Sequence, residues 1–162
     1  MHTVRSALFA LALSLVAAPA LAQGFLKIDG VDGESTDDKH KLEIGIDSMT
    51  VKAKDLHIVK KVDKASAKLA ALAGKKAAVP GTVVVVLEKP RKPKHSQQEF
   101  LKVVLVEVLF RSVAPAPRTP GLEALQASAK SFDVYESAGS SGPWVKVDAA
   151  TLTRDYPTIF LP

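Results

Sequence analysis

Apolar and polar residues alternate along much of the chain, a pattern that predicts β-strands. Short alternating stretches occupy residues 25–29, 42–51 and 55–61, the last with β-branched residues beside two lysines. Two richer stretches, "TVVVVLE" at 82–88 and "EFLKVVLVEVLFR" at 99–111, are apolar on both alternating faces for much of their length. These five segments predict a protein built mainly from strands.

Two more strands and a hairpin complete this pattern. We expect a strand around residues 129–136 and, after the turn "SAGSSGP", a last edge strand at 144–147. The prolines and charges of "KPRKPKHSQQ" predict a solvated hairpin loop between the two richer strands. In the second richer strand, Lys102 and Glu107 fall on opposite parities. That strand therefore holds a bulge, or one of the two charges faces something other than water.

One segment, "VDKASAKLAALAGKK", has the period of a helix. Its apolar residues recur at helical spacing: Val62, Ala65, Leu69 and Leu72. Asp63 is expected to cap its start and Gly74 to close its end, beside two lysines at the negative terminus. Lys64 and Lys68 are expected to face water. Strands with a single helix predict a mainly β fold, a small antiparallel β-barrel or sandwich with one α-helix packed on it.

The two richer strands need cover on both faces. An antiparallel sheet between a core and water alternates apolar with polar residues, but residues 83–87 and 103–110 are apolar on both sides. Contiguous apolar surface of that extent is rarely left bare. The helix can cover part of it. The rest is covered either by the C-terminal segment of a monomer or by a neighbouring subunit.

The N-terminus has the layout of a secretory signal peptide. A positive start at Arg5 precedes an apolar run over residues 7–18, and Ala20, Leu21 and Ala22 precede Gln23. We predict cleavage after Ala22, which leaves residues 23–162 as a single mature domain. About a dozen apolar residues fall well short of the roughly 20 that span a bilayer, so a membrane anchor is disfavoured. Because the chain has no cysteine, its core must stabilise it without disulfides.

Charge gives only a weak indication of a partner. The formal net charge is +5. The basic run of Lys89, Arg91, Lys92 and Lys94 could contact an anionic surface or nucleic acid, but it contains no aromatic residue on which a base would stack. A solvated hairpin tip is favoured, and we predict no nucleic-acid partner.

A cluster of polar residues follows the first strand: Glu34, Asp37, Asp38 and His40. Such a group could bind a hard cation. However, its spacing lacks the ligand alternation of a calcium loop, and Lys39 and Lys41 interleave positive charge. The favoured interpretation is an exposed loop whose Asp and Gly residues make turns, with no metal.

No arrangement of residues predicts catalysis or a cofactor. His57 and His95 are isolated, and neither G-x-S-x-G nor H-E-x-x-H occurs. Nucleophile, base and acid do not converge in any motif, so an enzyme is disfavoured. Trp144, beside Pro143, could be a ligand platform, although a core anchor on an edge strand is the favoured interpretation.

Two segments resemble a known family. "FLKIDGVDGESTDDKHK" at 25–41 and "DLHIVKKVDKASAKL" at 55–69 are similar to the haemolysin-coregulated protein (Hcp) family, the tube-forming component of type VI secretion systems. The family's Lys-Lys-Val-Asp-Lys-Ala-Ser run stands here at residues 60–66. "EFLKVVLVEVLFRSVAP" and "ASAKSFDVYES" resemble, less sharply, the family's long paired strands. The resemblance covers about residues 25–136.

This resemblance implies a structural protein and not an enzyme. Family members fold as a compact β-barrel of two sheets with one helix, form hexameric rings with a wide channel, and stack into a tube that sometimes holds effectors. The expected partners are therefore further copies of the chain, with secretion effectors or spike components, and no stable membrane insertion. The acidic loop would brace the ring. Candidate subunit-interface residues are Glu34, Asp37, Asp38, Lys39, His40, Lys60, Lys61, Val103, Leu105 and Glu107.

Two features depart from the family. Typical members have no secretory leader, whereas this one predicts a periplasmic or secreted protein. The segment at 42–54 also looks shorter than in typical members, where a longer excursion reaches adjacent subunits or rings. We therefore expect rings that stack poorly. A second hypothesis stays open, that of an exported binding or adhesive module that reuses the fold as a monomer. Assembly state distinguishes the two.

Overall fold

The computed structural model describes residues 23–90, 97–138, 142–148 and 150. The predicted leader lies outside these residues, as do Arg91, Lys92, Lys94 and His95 of the hairpin loop. The elements in chain order are β1 (Gln23–Ile28), β2 (Ile44–Lys52), β3 (Asp55–Lys61), α1 (Ser66–Lys75), β4 (Thr82–Pro90), β5 (Gln97–Pro115), β6 (Leu122–Ser137) and β7 (Trp144–Val147).

The strands form one antiparallel sheet that closes on itself. Neighbours follow the order β3-β2-β1-β4-β5-β6-β7, and β3 also pairs with β6. One edge of β6 has two partners, because its first half pairs with β3 and its last four residues pair with β7. A closed barrel of six antiparallel strands results, with β7 as an extra edge strand. The predicted mainly β fold with one helix is confirmed.

The barrel interior holds a continuous apolar core. Alternate side chains of each strand point inward, and the fully buried ones include Leu26, Ile44, Met49, Ile58, Leu87, Leu101 and Leu125. The helix α1 packs against β5 and adds Ala65 and Leu69 to this core. Lys64 and Lys68 are exposed as predicted. Val62 is 58% exposed, so its assignment to the apolar helix face was wrong, since it lies before the first helical turn.

Both helix ends differ from the predicted caps. Ala65 occupies the N-cap position, and Asp63 Oδ1 accepts a hydrogen bond from the Ala65 backbone N–H at 3.0 Å. Asp63 therefore caps the turn that leads into the helix and not the helix itself. At the other end, Gly74 lies within the helix, and Lys76 is the left-handed residue, with φ 51°. The predicted closure at Gly74 was wrong by two positions.

The long strand β5 changes its inward face partway along. Leu101, Val103 and Leu105 point into the core, whereas beyond Glu107 the buried residues are Val108 and Phe110. Glu107 has a φ of 50°, and this local departure from strand geometry lets the face switch. Lys102 and Glu107 predicted either a bulge or a charge that faces something other than water, and the structure has an irregular backbone at Glu107. β6 reverses its inward face at the paired position, so the two strands bend together.

Two features at the ends of strands bear on the predicted surface. Ala53 and Lys54 alone join β2 to β3, and Ala53 has a φ of 54°, so the segment at 42–54 sends out no long excursion. β7 is an edge strand as predicted. Trp144, however, is half-buried on the outer face, where Lys102 Nζ lies 4.6 Å from its ring centre and 5.1 Å from that of Tyr135. A core anchor at Trp144 was the wrong interpretation.

Candidate functional site

The loop between β1 and β2 is pinned to the start of β2. The backbone N–H of Gly33 donates to Leu42 O at 2.7 Å, and that of Ser35 donates to Glu43 O at 3.1 Å. A side chain at Gly33 would place its Cβ 2.6 Å from Ile44 Cα, so this close approach requires glycine. The loop is therefore an ordered part of the barrel wall.

Polar contacts also join this loop to the helix and fix its own turn. Glu34 Oε1 accepts from the Lys64 backbone N–H at 3.1 Å. Lys68 Nζ donates to the backbone oxygen of Gly30 at 3.0 Å. Asp37 Oδ1 accepts from the backbone N–H groups of Lys39 and His40 at 2.9 and 3.2 Å. Asp37 thus makes a turn, as the favoured interpretation held.

A first buried group of charges joins β3, the helix start and β6. This Lys60 cluster consists of Lys60, Asp63, Ser66 and Glu123. Lys60 is completely buried, and its Nζ lies 2.7 Å from Asp63 Oδ1 and 2.8 Å from Glu123 Oε1. It also donates to the Lys61 backbone oxygen at 2.6 Å. Ser66 Oγ donates to Glu123 Oε1 at 2.7 Å and accepts from the Asp63 N–H at 3.0 Å.

This geometry accounts for the Lys-Lys-Val-Asp-Lys-Ala-Ser run in physical terms. A buried ammonium is tolerated only where its three N–H groups are satisfied and its charge is compensated, and the Lys60 cluster meets both conditions. Lys60 cannot contact a neighbouring subunit, because its side chain has no exposed surface. The interface assignment at Lys60 is therefore corrected to a structural role, while Lys61 is exposed.

A second buried group lies between the loop and the β4–β5 hairpin. This His40 cluster consists of His40, Glu43, Glu88 and Glu99. His40 is 4% exposed, and its ring stacks on Phe25 at 4.1 Å between centroids. Its Nδ1 lies 2.9 Å from Glu43 Oε2, and its Nε2 lies 3.4 Å from Glu88 Oε1 and 3.7 Å from Glu99 Oε1. His40 is thus also corrected from a surface contact to a buried residue.

A bulge brings the two carboxylates of the hairpin together. Leu87 pairs with Leu101, whereas the next residue, Glu88, pairs with Glu99, so Phe100 is an extra residue on β5. Bulges of this kind turn a side chain away from its regular direction. The bulge thereby places Glu99 opposite Glu88, on the side of the hairpin where Glu88 already faces His40. Glu88 is 1% exposed, while the Glu99 side chain is 28% exposed.

The His40 cluster is not electrostatically saturated. Burial raises the pKa of Glu88 above its ordinary value of 4.5, and this effect outweighs the opposing influence of His40. Within the part of the chain that the structure describes, His40 Nε2 and Glu88 Oε2 are the buried side-chain atoms that lack a hydrogen-bond partner. Native proteins seldom leave such atoms unpaired.

The remaining interface candidates divide between core and surface. Val103 and Leu105 are 0% and 1% exposed inside the barrel, so their assignment is corrected: they have no surface to offer a neighbour. Glu107 is exposed, and its Oε1 lies 2.7 Å from Lys130 Nζ. Glu34, Asp38 and Lys39 are exposed on the pinned loop.

Four outward valines on the paired strands β4 and β5 form a valine stripe. Each of them is half-buried: Val84, Val86, Val104 and Val106.

Sequence reasoning missed three carboxylates that belong to the buried clusters. Glu88, Glu99 and Glu123 lie far along the chain from the histidine and lysine that they face. Their positions in the sequence could have indicated a buried site. Glu88 ends a run of valine and leucine, and Glu123 lies at the start of a strand whose inward residues are apolar. A carboxylate within an apolar strand is expected to have a polar partner.

The closed six-stranded barrel with one helix is an Hcp-like fold. No family model matches the chain, and no curated protein does. Among solved structures, Hcp1 from Salmonella typhimurium is 27% identical, with a TM-score of 0.66, over 78% of this chain and 92% of that one. Hcp2 from the same organism is also 27% identical, with a TM-score of 0.63, over 76% and 91%.

A third similar structure is that of a secretion protein. It is a type VI secretion system effector from Yersinia pestis, 25% identical, with a TM-score of 0.60, over 78% of this chain and 99% of that one. The resemblance to the Hcp proteins of type VI secretion systems is therefore confirmed. In the described part of the chain, every helix is too short or too polar to cross a bilayer.

Proposed function

We propose that the mature chain is a structural, ring-forming subunit related to the type VI secretion tube, and that it assembles as a homohexamer. The similarity to the two Salmonella Hcp proteins supports this, since it extends over 92% and 91% of their lengths. The role assigned is assembly, without a catalytic residue or cofactor. Secretion effectors or spike components are the further partners of such a ring.

The observation that carries the proposal is the valine stripe. Val84 pairs with Val104, and Val106 lies beside the start of β4, so an outward patch of the β4–β5 wall is apolar. Its inward neighbours already fill the core, which means that the stripe faces away from it. Burying such a patch against a second copy of the chain gives about 25 cal/mol for each Å² removed from water. Closed rings bury the same patch in every subunit.

Charged residues near the contact would set the register of the ring. The exposed candidates that remain are Glu34, Asp38, Lys39, Lys61 and Glu107. Charge complementarity contributes to orientation and association rate more than to affinity. In this proposal the pinned loop braces each subunit internally through Glu34 and presents Asp38 and Lys39 to a neighbour.

Export is the second part of the proposal. The leader would direct residues 23–162 through the inner membrane. The intact mass of the native protein tests this. A chain that begins at Gln23 in the periplasm or the medium is expected, and a cytoplasmic chain that keeps Met1 would contradict export.

Stacking of the proposed rings is expected to be weak. Ala53 and Lys54 alone connect β2 to β3, and so compact a turn offers little area to a second ring. Small interfaces are usually weak. Any residual stacking through charged loops should decrease as salt rises. Electron micrographs at low and high salt are expected to contain single rings, and long salt-resistant tubes would contradict this part alone.

The assembly experiment compares two valine substitutions in the mature chain. Val104→Lys places a charge in the valine stripe, whereas Val62→Lys places one at a valine that is already 58% exposed. In sedimentation velocity at micromolar concentration we expect hexamers for the native chain and the Val62→Lys control, and monomers for Val104→Lys with its thermal midpoint retained. A native monomer would defeat the ring proposal.

One observation favours a second candidate, an exported binding or adhesive module that works as a monomer. The compact turn between β2 and β3 removes the excursion that reaches neighbouring subunits or rings in typical family members. With the predicted leader, this fits a barrel used singly outside the inner membrane. A monomer in the sedimentation experiment would favour this candidate.

A further inference from the structure

We propose that the His40 cluster is a binding site for one divalent transition-metal ion of the zinc type, with His40 Nε2, Glu88 and Glu99 as its ligands. This inference is independent of ring formation. The three ligand atoms lie within 4.8 Å of one another. They come from the pinned loop, β4 and β5, elements that the sheet and the loop hydrogen bonds already hold in place.

The spacing of the ligand atoms fits a metal better than a direct ion pair. The distances from His40 Nε2 to Glu88 Oε1 and Glu99 Oε1 are 3.4 and 3.7 Å, longer than a normal N–H···O hydrogen bond. Tetrahedral zinc, with bonds of about 2.0 to 2.1 Å, separates its ligand atoms by about 3.3 to 3.5 Å. The first distance has this length, and the second needs only a small rotation of the Glu99 side chain.

Glu43 sets the histidine in the form that a metal requires. Its Oε2 lies 2.9 Å from Nδ1. An ionised carboxylate can only accept, so Nδ1 donates its hydrogen and Nε2 is the nitrogen that a metal would occupy. The lone pair of Nε2 then points toward Glu88 and Glu99. A carboxylate behind a histidine is the usual way to orient a metal ligand and to raise its basicity. The stacking of the ring on Phe25 fixes the remaining rotation.

The unpaired atoms and the charge both indicate a missing cation. His40 Nε2 and Glu88 Oε2 are buried without a hydrogen-bond partner, although both residues are more than nine-tenths buried. The ring faces the carboxyl groups of Glu43, Glu88 and Glu99, and burial makes such an accumulation of acidic groups costly. A divalent cation offsets most of it. Glu99 is 28% exposed, which gives an ion a path from solvent and leaves room for a water ligand.

The donor set indicates which ion is preferred. Imidazole with two carboxylates is a ligand set used for zinc and similar transition metals, while magnesium prefers oxygen ligands and retains its water. The site should therefore discriminate between Zn²⁺ and Mg²⁺. The hard-cation site that the sequence disfavoured, at Glu34, Asp37, Asp38 and His40, shares only His40 with this site.

The test is a calorimetric titration of the chelator-treated mature protein with Zn²⁺ and, separately, with Mg²⁺. We expect one Zn²⁺ per chain, a higher thermal midpoint with Zn²⁺, and no comparable effect of Mg²⁺. Glu99→Gln is expected to weaken Zn²⁺ binding at least tenfold and Glu88→Gln to do the same. Glu107→Gln removes an exposed carboxylate from the same strand and serves as the matched control, with unchanged binding.

Two outcomes would overturn the proposal. One is the absence of saturable Zn²⁺ binding at micromolar concentration. The other is one-to-one binding that neither Glu88→Gln nor Glu99→Gln weakens, which would place the ion elsewhere. Because a variant could lose its fold, Co²⁺ is added to the native chain as a second measurement. Visible absorption typical of four-coordinate Co²⁺ is expected, and a spectrum like that of hydrated Co²⁺ also counts against the site.

Discussion

The Lys60 cluster and the His40 cluster both bury charge beside the barrel, but they differ in how completely that charge is satisfied. Lys60 Nζ has close oxygen partners on Asp63 and Glu123 and on the backbone of Lys61. His40 Nε2, in contrast, faces two carboxylates at 3.4 and 3.7 Å without a hydrogen bond.

This difference separates a structural role from a capacity to bind. A saturated cluster has no unused donor or acceptor, so adding a ligand would break bonds that already exist. An unsaturated buried cluster gains free energy when a cation or a proton enters, because desolvated atoms then acquire a partner. Substitutions in the Lys60 cluster are expected to lower the unfolding free energy. The contribution of the His40 cluster is expected to depend on pH and on metal concentration. The following experiments test this contrast.

Among the charged residues, the largest effect is expected from breaking the Lys60 cluster. Glu123→Ala removes a carboxylate 2.8 Å from an ammonium that has no exposed surface. Loss of one partner of a buried ion pair costs about 3 to 5 kcal/mol of unfolding free energy. Asp63 remains as a partner, which places the expected value near the lower limit. Urea unfolding of the variant measures it, and a loss under about 1 kcal/mol would mean that Glu123 contributes no more than a surface charge.

An apolar substitution in the helix gives the reference for this value. Leu69→Ala should lower the unfolding free energy by about 2 to 5 kcal/mol, because the side chain is fully buried in the core. Lys68→Ala, one position earlier on the exposed face, should change it by about 0.5 kcal/mol or less. Thermal or urea unfolding compares the two. An unchanged midpoint for Leu69→Ala would show that the buried face of the helix is wrongly assigned.

The metal-free His40 cluster should make stability depend on pH. The pKa of Glu88 is raised by burial, with Asp37 and Glu99 adding to the rise and His40 and Lys39 opposing it, while Glu43 faces the same histidine. The folded state therefore holds more protons than the unfolded state above pH 4.5, and the unfolding free energy falls as pH increases through the folded pKa.

Glu88→Gln isolates this contribution. The variant cannot lose the proton, so its stability relative to the native chain should improve as pH rises above 4.5. Urea unfolding in the presence of a chelator, at several pH values, gives the difference in unfolding free energy between the variant and the native chain. The other titrating groups are common to both proteins, so their contributions largely cancel in this difference. Zn²⁺ should reverse the order near neutral pH, since it binds the native chain more tightly than the variant and stabilises it more. Parallel pH profiles for the two proteins would contradict the burial of an ionised Glu88.

The smallest effect is expected at a charge pair that is not buried. Lys130 and Glu107 lie 2.7 Å apart with side chains that are 67% and 55% exposed. Lys130→Ala should lower the unfolding free energy by about 1 kcal/mol or less, and salt should reduce the difference further. Unfolding at two ionic strengths measures this. A loss as large as that of Glu123→Ala would remove the distinction between buried and exposed pairs.

Local patterning predicted the elements of the fold better than their lengths. The alternation of apolar residues located every strand of the barrel, and helical spacing placed Leu69 in the core. β6 begins at Leu122, earlier than expected, because its inward Ala127 and Ala129 give too weak a hydrophobic signal to mark a strand. β5 also runs beyond its predicted ends, since pairing along β6 extends it to Pro115.

The candidate sites were predicted far less well, for a geometric reason. Glu123 and Glu88 stand 63 and 48 positions along the chain from Lys60 and His40, and the pairing of distant strands brings them together. Spacing rules read ligands from neighbouring positions. No local pattern predicts the extra residue at Phe100 that places Glu99 opposite Glu88. His40 was noticed, but with loop neighbours that turned out to make turns or to face solvent.

One edge of β3 pairs with β2, and the other pairs with β6, which closes the barrel. During synthesis or translocation, this second edge has no partner until β6 is available. Residues 122–128 supply that partner only after β4 and β5 have been made or translocated. An open strand edge is a template for pairing with other chains, and a lysine on such an edge discourages that pairing. Lys60 would then act first as a gatekeeper on the nascent edge, hydrated and repelling other copies. When β6 pairs with β3, the same ammonium loses its water and forms the buried ion pair with Glu123 that links the two strands.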